Sequence, residues 1–201
     1  SAQHTKRKSY YGAGHDPNAY GNTTDLTYIG GFQYSYTWDK LLFMPSELTG
    51  GAEYNYDKLE DEMLGYNRTI EQTVHIGSVF LQNEWRNEKW SFLIGGRVDD
   101  HNLMKDLIFS PRANLRYNPA KDINMRLSYA SGFRAPQAFD EDLHITAVGG
   151  NVSLIQLSPD LKEEKSHSFS TSVDFYRRFG KIQANLLVEG FYTDLKDVFV
   201  I

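Results

Sequence analysis

Leu26-Thr27-Tyr28-Ile29-Gly30-Gly31-Phe32-Gln33-Tyr34-Ser35-Tyr36-Thr37-Trp38 is the stretch whose reading decides the fold. Its even positions carry Leu26, Tyr28, Phe32, Tyr34, Tyr36 and Trp38, with Gly30 filling the gap. Its odd positions carry Thr27, Ile29, Gly31, Gln33, Ser35 and Thr37. Successive residues of a strand point to opposite faces, so this ribbon has one aromatic, apolar face and one face that is mostly small or polar.

The same period of two recurs outward from that run. Leu48, Ala52, Tyr54 and Tyr56 alternate with Glu53 and Asn55; Trp90, Phe92, Ile94 and Val98 alternate with Ser91 and Arg97. Phe109, Ala113, Leu115 and Tyr117 alternate with Arg112, Asn114 and Arg116, and Met125, Leu127 and Tyr129 with Arg126 and Ser128. Phe169, Val173 and Phe175, then Leu186 and Val188, continue it, and Val74–Gln82 is strand-like but less regular. The spacing predicts about eight strands, several of them long enough for the ~9–11 residues that a tilted membrane strand needs. No helical period of comparable quality is present.

Periodicity does not say which face is wet, but the connections discriminate. Tight polar turns are expected near Trp38-Asp39-Lys40, Arg86–Lys89, Asn118–Lys121 and Arg178–Lys181; long connections are expected over Asp57–Thr69, Asp99–Asp106 and Gly132–Lys165. Short and long therefore alternate strictly, as in an up-and-down membrane barrel with short turns on one side and long loops on the other. A Greek-key sandwich gives no reason for such alternation. The fold class expected is all-β: an antiparallel up-and-down transmembrane β-barrel, here an incomplete segment over 1–201. A soluble β-sandwich that binds carbohydrate or another ligand is the alternative.

Composition agrees and excludes other classes. Thirteen Tyr and twelve Phe in a chain of mean hydropathy −0.52 fit a barrel with aromatic girdles at two membrane interfaces. The net charge is −5 and Cys is absent, so there is no disulfide framework and no thiolate metal site. Lys and Arg are scattered, without the basic stripe of a nucleic-acid partner. No apolar run is long enough for a transmembrane helix. No phosphate loop, nucleophile elbow or zinc signature occurs, so an enzyme is not expected. Ser1–Lys6 is no signal peptide and Asp197–Ile201 stops within an apolar run, so the sequence reads as an internal piece of a longer chain.

Four segments carry a family resemblance. Ser131-Gly132-Phe133-Arg134-Ala135-Pro136-Gln137-Ala138-Phe139-Asp140 is followed by Leu157-Ser158-Pro159-Asp160-Leu161-Lys162-Glu163-Glu164-Lys165-Ser166, which is similar to an N-P-x-L-x-P-E-x-S element. Here Ser158 stands where Asn is common and Glu163 where Pro is common. Val79–Trp85 with Leu93–Asp99 is similar to an F-x-Q-x-x-W … G-x-R-x-D hairpin, and Glu189–Leu195 to a following strand. In this order the four resemble TonB-dependent outer-membrane receptors, with wording closest to those of Bacteroidetes. The resemblance implies a plugged barrel of about 22 strands in the outer membrane of a Gram-negative bacterium. It implies three partners: outer-membrane lipid, TonB through a plug domain, and a small-molecule nutrient. That nutrient would be a ferric siderophore, cobalamin, haem or a glycan.

Candidate ligand-binding residues lie at the longest loop. Arg134 is placed to face the lumen and pair with a carboxylate, and Gly132 and Pro136 bracket a strand end. Asp140, Glu141, Asp142 and His144 form an acidic cluster whose groups can ligate a hard cation, although it lacks the spacing of an EF-hand loop and reads first as a solvated charge run. Receptors of the family with loop-bound calcium keep a calcium site there open; no other cofactor is implied. Trp38, Trp85, Trp90, Tyr117 and Tyr129 are expected near the turn-side strand ends as girdle residues. The pairs Gly30-Gly31, Gly50-Gly51 and Gly95-Gly96 mark places where the wall bends or aromatics of the next strand lie over it.

Overall fold

The computed structural model describes residues 1–10, 20–63, 68–136 and 162–198. They form nine strands: β1 (Ala2–Tyr10), β2 (Tyr20–Leu41), β3 (Met44–Met63), β4 (Arg68–Arg86), β5 (Trp90–His101), β6 (Ile108–Ala120), β7 (Ile123–Arg134), β8 (Glu164–Phe179) and β9 (Ile182–Lys196). The nine make one sheet in sequence order, every neighbouring pair antiparallel. This is an up-and-down wall, not closed among the described residues, because β1 pairs only with β2 and β9 only with β8.

The faces settle which side is which. Phe32 is 71% exposed, Leu127 53% and Leu186 61%, whereas Asp61, Ser78, Asp99 and Asp174 on the opposite face are buried. A single cavity of about 720 Å³ is lined by polar-face residues from Gln33 of β2 to Ala130 of β7. Strands lie ~4.8 Å apart, so one cavity reaching across six of them requires that face to be concave. The apolar side is therefore convex and bare, and the polar side is turned inward. A soluble sandwich covers its apolar face with a second sheet; the nine described strands form one sheet, with that face bare.

Two bands of rings edge the convex face. Toward the short turns, Phe43 stacks on Trp85 (5.7 Å) and Trp90 on Tyr117 (4.0 Å); the Trp85 indole N–H donates to the Leu41 carbonyl oxygen at 3.1 Å. Toward the long connections, Tyr28 stacks on Tyr56 (4.6 Å) and Tyr129 lies against Phe169 (4.9 Å). Tyr129 thus belongs to the far band, not to the turn side expected for it, because β7 enters at Ile123 and Tyr129 lies well along it.

Three further expectations are corrected. A ninth strand, β1, had no signal: Ala2–Tyr10 is polar on both faces, and only its pairing with β2 makes it a strand. The connection expected over Asp57–Thr69 is mostly ladder, with Asp57 opposite Val74 and Glu62 opposite Thr69. The alternation breaks there because the outward positions of this part of β3 are Lys58, Glu60 and Glu62, while the inward face mixes buried Leu59 with buried Asp61. The first turn falls at Leu42-Phe43, past Trp38-Asp39-Lys40, with Leu42 at φ 65°.

Glycines let large side chains lie flat on the next strand. A Cβ on Gly96 would fall 2.5 Å from the Phe109 ring, and one on Gly51 would fall 2.4 Å from the Phe32 carbonyl oxygen and 2.7 Å from the Phe80 ring. By contrast, nothing lies over Gly30. Phe109 faces outward and its ring can swing, whereas the Phe32 backbone cannot move. Gly51→Ala is therefore expected to cost about 1–3 kcal/mol by overpacking and Gly96→Ala less, as read from urea unfolding midpoints of the detergent-solubilised receptor.

Candidate functional site

The hairpin resemblance becomes legible on the concave face. Phe80, Gln82, Gly95, Arg97 and Asp99 have the parity that puts all five inward across β4 and β5. Phe80 packs over Gly51, and Gln82 over Gly95, whose Cβ would meet that of Gln82 at 2.6 Å. Gln82 accepts from the Arg112 guanidinium.

Arg97 is the hub. Its Nε donates to Asp99 Oδ1 at 2.7 Å, and its terminal nitrogen donates to Glu53 Oε1 at 2.9 Å and to Ser78 Oγ at 2.7 Å. The Ser78 hydroxyl in turn donates to Asp99 at 2.6 Å. Residues two apart on one strand share a face, which is why an R-x-D spacing brings cation and carboxylate together. Asp99 is 2% exposed; a buried carboxylate is tolerated only when paired and hydrogen-bonded. The network welds β3, β4 and β5 at mid-wall.

The two segments flanking the longest loop also meet. Arg134 is directly opposite Glu164 in the β7–β8 register, and its Nε donates to Glu164 Oε2 at 3.0 Å. Gly132 faces Ser166, whose Oγ would lie 3.1 Å from an added Cβ. Glu163 lies just outside β8, and its hydrogen bond to the Lys165 ammonium, 2.8 Å away, holds its carboxyl below the ordinary range. Arg134 therefore sits at the neck of the loop, clasped across the two strands that frame it. Asp140, Glu141, Asp142 and His144 lie outside the described residues. Among the described residues no group of three or more His, Cys, Asp or Glu is placed to hold a metal ion.

The profile of the family described as "TonB dependent receptor-like, beta-barrel" matches residues 1–201. The chain belongs to the TonB-dependent receptor β-barrel family. Members of that family are transporters of the Gram-negative outer membrane, not enzymes. The crystal structure of the siderophore receptor PirA from Pseudomonas aeruginosa is similar at TM-score 0.67 and 22% identity, over 87% of this chain and 33% of that one. PirA from Acinetobacter baumannii is similar at 0.66 and 19%, over 98% and 31%. The ferric enterobactin receptor PfeA mutant (Q482A) from Pseudomonas aeruginosa, in complex with enterobactin, is similar at 0.64 and 20%, over 90% and 29%. At such identities the likeness is one of fold. The chain spans about a third of the length of these receptors. No match is found among curated protein sequences.

In the sequence the hairpin residues of β4 and β5 are legible as a motif, without the network they form. Glu53 and Ser78 were missed as members of the Arg97 network. Glu53 was legible only as one polar residue of an alternating strand, and Ser78 lies in the least regular run. Only cross-strand register brings them to Arg97, and register is a property of the whole sheet.

Proposed function

We propose that this stretch of wall and its long connections belong to a receptor that imports a scarce small-molecule nutrient by TonB-coupled uptake, with a ferric siderophore as the first substrate class to test. The single observation that supports the reading is the inverted polarity of the sheet. Bare rings and aliphatic side chains on the convex face suit lipid, and a charged, serine-rich concave face suits a wet lumen. Neighbours named as siderophore receptors favour iron over cobalamin, haem or glycans as the starting point. Within the proposal, the parent barrel has about 22 strands, TonB engages a plug domain, and the loop set on the Arg134–Glu164 clasp carries ligand contacts from Asp140, Glu141, Asp142 and His144. Loop-bound calcium is the one ion considered there.

The test is growth and uptake. A strain lacking the whole receptor should lose uptake of one radiolabelled ferric siderophore of a panel, and regain it only with TonB present. Loss of cobalamin, haem or glycan uptake instead would reassign the substrate. Recovery of the parent protein in aqueous extract without detergent would sink the transporter reading altogether.

A further inference from the structure

We propose that the turn end of the β8–β9 hairpin holds an anionic phospholipid of the periplasmic leaflet, with Arg177 and Arg178 receiving its phosphate and Phe175, Phe179 and Ile182 receiving its chains. The outward positions of β8 run Val173, Phe175, Arg177, Phe179, and those opposite them on β9 are Val188, Leu186, Ala184 and Ile182. Among the described residues of β4 to β9, Arg177 is the one outward charge with an aromatic ring on either side of it along its own strand. Phe179 and Ile182, the last pair before the turn, are exposed on that face. A charge on the lipid side of a membrane wall is costly unless it reaches the headgroup layer and finds a counter-charge there.

The local charge is one-sided. Lys121, Arg177, Arg178 and Lys181 stand in or beside the β6–β7 and β8–β9 turns, against the single carboxylate of Asp122. Asp122 Oδ2 lies 3.8 Å from a terminal nitrogen of Arg177, beyond hydrogen-bond length. Both side chains are exposed, so the pair is weak. Arg178 donates from Nε to the Gly180 carbonyl oxygen at 3.1 Å, and its terminal nitrogens have no partner among the described residues. Asp122, Tyr176, Arg177, Arg178 and Gln183 surround an open hollow of about 380 Å³. Arg177 belongs to the outward face and Arg178 to the inward one, so the hollow lies across the rim of the wall. Two guanidinium groups and a phenol are donor chemistry for a phosphodiester.

The surroundings choose between a free anion and a lipid. A free phosphate uses the hollow alone. The bare side chains of Phe175, Phe179 and Ile182 continue from Arg177 along the convex face, so a molecule with an anionic head and apolar chains satisfies both halves of the surface. Short turns face the periplasm in barrels of this kind, and the outer-membrane leaflet on that side is phospholipid. Basic pockets at a membrane surface take anionic heads by the same attraction. The proposal rests on the convex face meeting lipid, but not on the identity of the nutrient.

The experiment uses the whole receptor, delipidated in detergent. It is titrated with phosphatidylglycerol, with phosphatidylcholine of the same chains and with inorganic phosphate, and adducts are measured by native mass spectrometry. Phosphatidylglycerol should bind about tenfold more tightly than phosphatidylcholine. Arg177→Gln should weaken phosphatidylglycerol about fivefold, the worth of roughly one interfacial cation, and leave phosphatidylcholine unmoved. Lys40→Gln, beside another short turn, should change neither. Heat-modifiable migration on gels confirms a folded barrel, and Arg178→Gln takes the deciding role should Arg177→Gln fail to fold. Equal affinity for the two lipids overturns the proposal, as does undiminished phosphatidylglycerol binding in the deciding variant. Displacement of phosphatidylglycerol by inorganic phosphate overturns it in favour of a free-anion site. None of these outcomes involves uptake, so the nutrient reading stands or falls separately.

Discussion

Leu127→Arg is expected to lower the folding free energy of the receptor in lipid vesicles by about 2–4 kcal/mol, the cost of an Arg on the lipid face near the bilayer middle. Leu127 projects from the convex face between Leu115 and Thr171 and is 53% exposed. It lies between the turn-side ring Tyr117, opposite Met125, and the loop-side pair Tyr129–Phe169. In water, an exposed leucine exchanged for arginine costs almost nothing, since surface substitutions stay within about ±0.5 kcal/mol. The size of the effect therefore reports the solvent and not the contact list. Thr37→Arg, exposed on the inward face of β2 and opposite Glu47, is the control and should be close to neutral. Urea titrations in vesicles, followed by tryptophan fluorescence, give both numbers. Equal and small effects would mean that the convex face does not meet acyl chains.

How far the sequence reached follows from what each signal depends on. Alternation depends on a local environment that differs between the two faces, so it was strong where one face meets lipid and the other a wet interior. It is absent in Ala2–Tyr10, which is polar on both faces, and in Asp57–Glu62, where Lys58, Glu60 and Glu62 point outward and Leu59 stands between Asp57 and Asp61 on the inward face, so one strand carries no signal and another reads short. Turn positions were off by a few residues at Leu42-Phe43 because no Gly or Asn marks that turn; at Gly180, φ 61° is supplied by the residue type that adopts it freely, and the turn was placed correctly. The glycine pairs were readable as close-approach sites, and Gly51 and Gly96 are such sites, but which ring would cover them required register. The Arg134–Glu164 clasp joins two motifs some thirty positions apart, and only the pairing of β7 with β8 makes them neighbours.

Arg97→Met should be the most damaging change on the concave face, because it leaves Asp99 buried with its cation gone. Breaking a fully buried pair costs about 3–5 kcal/mol. The Arg97 side chain is 37% exposed, so part of its attraction is already screened by solvent, and Ser78 still donates to Asp99 after the change. We therefore expect about 2–3 kcal/mol, measured as the shift in urea midpoint at constant slope. Glu53, 41% exposed, can hydrate and adds little. The mechanism predicts its own rescue: in Arg97→Met with Asp99→Asn, no unpaired charge remains and Asn still accepts from Ser78, so at least half of the loss should return. If the double variant is as unstable as the sum of the two single ones, the stranded charge is not the cause. Arg97 would then act through the packing of its stem across Ser78 and Glu53, and the R-x-D spacing would hold strands together by shape instead of by charge.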